Sequence, residues 1–137
     1  MGQQQLLLIV LGVIIVGIAV VVGINVFTAS SVQANTDAVI ADCQTLGAMA
    51  QQYYRKPTAM GGGGQAFTGF QVPVSLQGTD GSEAKTPNGT IKVGVSAQSL
   101  TLTGAGTEKY DGSTPVEVLM TVTPDSMNVT KLNGTTL

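Results

Sequence analysis

Chemistry has few residues to work with in this chain. Among 137 residues there is no histidine, no tryptophan and one cysteine, Cys43. Without imidazole there is no Ser–His base and no histidine metal site. One thiol cannot close an intrachain disulfide, hold a thiolate zinc site or carry an iron–sulfur cluster, and no CxxCH haem motif exists. Asp80, Glu83, Asp111 and Asp125 read as loop carboxylates, and none has the spacing of a calcium loop. They are expected to be solvated turn groups. Cys43 lies on an apolar stripe and reads as a small buried residue. No catalytic residue, metal site or cofactor is therefore expected, and the chain does not read as an enzyme.

Modification chemistry is better represented. Asn88-Gly89-Thr90, Asn128-Val129-Thr130 and Asn133-Gly134-Thr135 are acceptor triplets for N-glycosylation. Asn-Gly is also turn chemistry, so at Asn88 and Asn133 both readings stand. Four of the six aromatics, Tyr53, Tyr54, Phe67 and Phe70, flank the run Gly61-Gly62-Gly63-Gly64. Four successive glycines cannot be regular structure at reasonable entropic cost. An aromatic cluster at a helix–sheet junction is expected there, with ligand stacking as the alternative.

The element that must carry everything else is at the start. Leu6 to Ile24, LLLIVLGVIIVGIAVVVGI, is aliphatic or glycine throughout, and the first charge is Asp37. As a helix it is a rod of roughly 28 Å, the thickness of a bilayer's hydrocarbon core. It has to bury its whole circumference in lipid or against other rods. Three readings of Met1 to Ala34 compete. A signal peptide fits poorly, because no Lys or Arg precedes the apolar run and the run exceeds an h-region. A plain anchor lacks flanking Lys or Arg to set its orientation. The third reading is a helix stored in a membrane and later packed against copies of itself.

The residues beyond Ile24 favour the third. There is no proline before Pro57, and Val32, Thr36, Val39, Ile40, Cys43, Leu46, Ala50 and Tyr53 recur every three or four residues. The spacing predicts one helix from about residue 3 to 54, closed by Arg55, Lys56 and Pro57. Three regions result: an apolar half (1–28), an amphipathic half (29–56) and a β-rich head (57–137). In the head, alternation predicts strands over Phe70–Leu76, at the sheet edge because of Pro73, and over Thr90–Ser96, Leu100–Leu102, Val116–Thr123 and Met127–Val129. Asp80-Gly81, Asn88-Gly89, Asp111-Gly112 and Asn133-Gly134 supply turns. The expected fold class is α+β, a long helix on a small antiparallel sheet of four to five strands. Net charge is −2, and no basic patch is present for nucleic acid.

The opening GQQQLLLIVLGVIIVGIAVVVGINVF, the amphipathic DAVIADCQTLGAMAQQYYRKP and the glycine-rich loop before a β-rich remainder together resemble a type IV pilin-like subunit. The motif-level likeness is confined to about the first 55 residues. It implies a structural subunit of an extracellular filament, made as a membrane-inserted precursor in the inner membrane. It also implies cleavage by a prepilin peptidase, methylation of the new terminus, and a pilus assembly machinery driven by an ATPase. The subunit's main partner is then itself, with apolar helices bundled on the axis. The residues expected to build that core are Gln5, Leu6, Leu7, Leu8, Ile9, Val10, Leu11, Val13, Ile14, Ile15, Val16, Ile18, Val20, Val21, Val22 and Ile24. The chain departs from the family's pattern at one position. The family's mature fifth residue is usually glutamate; counted from Met1 it is Gln5, which can hydrogen-bond a neighbour's terminal amine but cannot form an ion pair with it. Alternatives are a membrane-anchored surface binding module and a pseudopilin of a secretion system.

Overall fold

The computed structural model describes residues 2–137. The chain divides into two units, Met1–Ser31 and Val32–Leu137. One helix, α1 (Gly2–Arg55), contributes to both. With no proline inside it, every backbone N–H beyond the first turn can bond along the helix. The Lys56 N–H still reaches the Gln52 carbonyl at 3.0 Å, and Pro57 then turns the chain into extended geometry.

The glycine run finishes the helix. The last carbonyls of any helix lack intrahelical donors. Here the Gly63 N–H donates to the Tyr53 carbonyl (2.8 Å), Gly64 to Lys56 (3.0 Å) and Gln65 to Tyr54 (2.8 Å). The chain folds back so closely that a side chain at Gly63 would meet the Ala66 carbonyl and the Tyr53 ring.

The rest is one antiparallel sheet in simple sequential order: β1 (Glu83–Thr86), β2 (Gly89–Val95), β3 (Leu100–Lys109), β4 (Pro115–Val122), β5 (Met127–Leu132) and β6 (Thr135–Thr136). Each strand returns beside its predecessor, as short turns require. Pro87-Asn88 and Asn133-Gly134 are two-residue connections. Asn133 (φ 48°) and Gly134 (φ 82°) are both left-handed, the signature of a type I′ turn.

The second half of α1 lies on one face of this sheet. Val39, Cys43, Leu46 and Ala50 are fully buried against Ile91 of β2, Leu100 and Leu102 of β3, and Val116, Val118, Met120 and Val122 of β4. The fold is therefore α+β, as expected, but with six strands rather than four or five. The two unforeseen strands, EAKT and TT, are short and polar, so neither carries apolar alternation. Glu83 accordingly opens a strand rather than sitting in a loop.

The expected edge strand over Phe70–Leu76 is absent. Phe70 and Val72 are buried, but Pro73 has no donor and starts a turn closed by the Leu76 N–H on its own carbonyl (2.8 Å). Val74 is left 84% exposed. Strand β3 is far longer than its Leu100–Leu102 signal. Its apolar alternation stops because Gly104 occupies the next inward position, where an added Cβ would stand 2.5 Å from Val39 Cγ1. Close approach of helix to sheet erased the pattern that marks a strand.

Candidate assembly surface

The fifteen large aliphatic side chains from Leu6 to Ile24 are all between 53% and 69% exposed. Gln5 is exposed as well, and so is Phe27. Exposure of this size all round a helix means that none of the described residues covers the segment. Soluble chains do not leave a contiguous apolar surface of this extent to water. α1 is long and apolar enough to cross a membrane. All the sequence-predicted core-forming residues, Gln5 and Leu6 through Ile24, lie on this one rod.

Two finer features of α1 escape a reading by apolar periodicity. Gly12, Ala19, Gly23 and Ser30 are spaced by seven, four and seven residues, so they share a helix face within the first unit, and all are exposed. In the second unit, Ala34, Ala41 and Ala48 are seven apart and exposed, on the side away from Val39, Cys43, Leu46 and Ala50. Small side chains at such spacings let helix backbones come close together. The signal in the sequence is a heptad of alanines, but the bulky apolar residues of the other face dominate the pattern.

Polar groups register the helix on the sheet. Asn35 is 9% exposed. Its amide nitrogen donates to the Asn88 carbonyl (2.9 Å) and to Thr107 Oγ1 (3.4 Å), and its Oδ1 accepts from the Glu108 N–H (3.2 Å). Those bonds fall where the β3–β4 pairing slips between Ala105 and Lys109. Asn35 thus supplies an acceptor to a strand N–H at the irregularity in the ladder. A Cβ at Gly106 would collide with Asn35 Oδ1, so this strand position is shaped around it. At the other end of the sheet-covered stretch, Gln51 Nε2 donates to the Thr123 carbonyl (2.9 Å).

The residues singled out for chemistry do not converge. Asp80 accepts from the Ser82 hydroxyl (2.6 Å) and N–H (3.0 Å), which hold its carboxyl below the usual range. Asp111 accepts from the Thr114 and Ser113 N–H groups and both hydroxyls. The Thr114 backbone bond leads in bringing its carboxyl down to about 2. Both are turn-fastening groups. Asp125 is exposed. Cys43 is buried, and desolvation, helped by the charge of Asp42, pushes its thiol up to about 12. A thiol that stays protonated is a poor nucleophile and a poor metal ligand. Among the described residues, no three His, Cys, Asp or Glu side chains gather to hold a metal ion.

The aromatics do come together. Tyr53 and Phe70 meet edge to face at 5.6 Å, and Tyr54 and Phe67 at 4.9 Å. Tyr53 donates to the Thr68 carbonyl (3.0 Å) and Tyr54 to Gln98 Oε1 (3.1 Å). Phe67 is fully buried. These rings fasten the glycine loop to the helix end.

The three acceptor asparagines have different surroundings. Asn88 is half-buried and its Nδ2 donates to Asp42 Oδ2 (3.0 Å). Asn128 is exposed on β5. Asn133 sits in the type I′ turn, its Oδ1 accepting from the Glu117 N–H (3.0 Å).

Comparison with protein-family models, curated proteins and solved structures gives no match.

Proposed function

We propose that the chain is a structural subunit that polymerises through its N-terminal helix into an extracellular filament of the type IV pilus kind. The observation that carries this reading is the uncovered rod from Leu6 to Ile24. Full burial of each Leu, Ile or Val is worth about 1.5–3 kcal/mol, so a water-exposed monomer is strongly disfavoured. Lipid satisfies these side chains, and the membrane is the store before assembly. Extraction from lipid gains little apolar transfer energy, so an assembly ATPase must drive it. In the filament the rods cover one another and the sheet-bearing units face solvent. The exposed small-residue faces of α1 support close helix–helix packing. A head-to-tail contact that does not close yields an open helix rather than a ring.

The uncharged polar composition of the head suits a surface exposed outside the cell. On this reading a prepilin peptidase trims the precursor, and Gln5 replaces an ion pair between neighbours with a hydrogen bond.

Removing Met1 to Thr28 tests the mechanism. The remaining chain should be soluble and monomeric by sedimentation, and filaments assembled from it would contradict the proposal. Fractionation separates the filament from a membrane-anchored binding module. A filament subunit is recovered in material sheared from the cell surface, whereas an anchored module stays with the membrane.

A further inference from the structure

From Pro57 onward the chain has three asparagines, and each of them heads an Asn-X-Thr triplet, although only 20 of those 81 residues are Ser or Thr. Turn chemistry accounts for Asn-Gly at two of them. It does not account for the threonine two residues on, nor for Asn128, which lies in a strand. We propose that Asn128 and Asn133 are N-linked glycan acceptors and that Asn88 is not.

Geometry separates the three. A glycan is carried on Nδ2. At Asn88 that atom donates to Asp42 of the helix, so a sugar there would displace a helix-to-turn contact. Asn128 pairs with Thr121 in the β4–β5 ladder and alternates with Met127 and Val129, which pack on the core side. Its side chain therefore leaves the sheet on the uncovered face. Asn133 is half-buried like Asn88, but there it is the oxygen that is engaged, by the Glu117 N–H, and Nδ2 makes no such bond to the helix, next to the exposed Gly134 of the turn. The turn leads into β6, two exposed threonines long, with the Tyr110 hydroxyl beside Gly134.

The donor is a lipid-pyrophosphate-linked oligosaccharide. The bond from its anomeric carbon to the pyrophosphate oxygen breaks, and a bond to Asn Nδ2 forms. The pyrophosphate leaves with the electron pair, and a transferase base takes one amide proton. Two polar saccharides would then cover the outer end of β5, whose far side is paired only with the two-residue β6. The proposal rests on the membrane-insertion reading, because transfer happens on the far side of a membrane.

The test is the intact mass of the full chain purified from its native cells, with peptide mapping. A mass above that of the bare polypeptide, whose first residue the peptide map fixes, is expected, with an increment lost in Asn128→Gln and another in Asn133→Gln. Asn88→Gln should leave the increment whole. Thr130→Ser keeps both the acceptor triplet and a hydroxyl, so it should retain the sugar. A bare mass overturns the proposal, and sugar on Asn88 overturns the assignment. Protease added outside intact cells tells the failures apart. A bare chain whose head is cut defeats the glycan alone, whereas a bare chain that is protected defeats the membrane reading too.

Discussion

Asn35 shows how a single side chain can set register. It is buried, and its bonds reach three separate points on the sheet side of the helix. Asn35→Ala leaves the Glu108 N–H and the Asn88 carbonyl without that partner, at an expected loss of about 1–3 kcal/mol. Thermal unfolding of the detergent-solubilised chain should show the drop; an unchanged midpoint would mean that water replaces the amide. Asp111 sets a pH dependence. Its folded value is about 2 against 3.8 ordinarily, so its contribution is present above pH 3.8 and is lost as pH falls through about 2. Unfolding midpoints should fall across that window, and Asp111→Ser should flatten the slope. Nothing in the sequence marks Asn35 out, because an asparagine at helical spacing looks like surface. Its role became visible only once β3 was seen to slip where the helix crosses it.

At the scale of elements, the glycines carry packing. Gly104 lets β3 run directly beneath Val39 and Cys43. Gly104→Val should overpack that crossing and lower stability by about 1–3 kcal/mol, readable as a shift in the urea midpoint. The same glycine explains why sequence pattern and structure part company. Apolar alternation identified β2, β4 and the buried stripe of α1, where side chains do the covering. It missed the length of β3, where covering is done by the helix itself, and it missed β1 and β6, which are polar at the sheet's edges. It also placed a strand at Phe70–Leu76, where buried Phe70 and Val72 mimic alternation but Pro73 prevents pairing. The glycine loop was legible as irregular structure; its service as the helix's carbonyl cap was not, because capping by backbone N–H leaves no trace in residue type.

For the whole molecule, the sheet-covered half of α1 belongs to a folded unit, and on the filament proposal the other half is what joins one copy to the next. The rod was plain in the sequence, since no charge interrupts it before Asp37. Val16→Asp places a charge at mid-rod. A buried charge there is penalised by about 3 kcal/mol even on the lenient scale of membrane insertion. Sheared surface material from cells carrying this variant should lack the protein, while the folded head persists in the membrane fraction.

Contact at mid-rod is the most direct measurement. A photo-activated cross-linking residue at Val16, irradiated in filaments sheared from cells, should join chain to chain and produce a ladder of multimers through the apolar segment. If the only adducts formed are with lipid acyl chains, the rods do not bury one another, and the filament account fails.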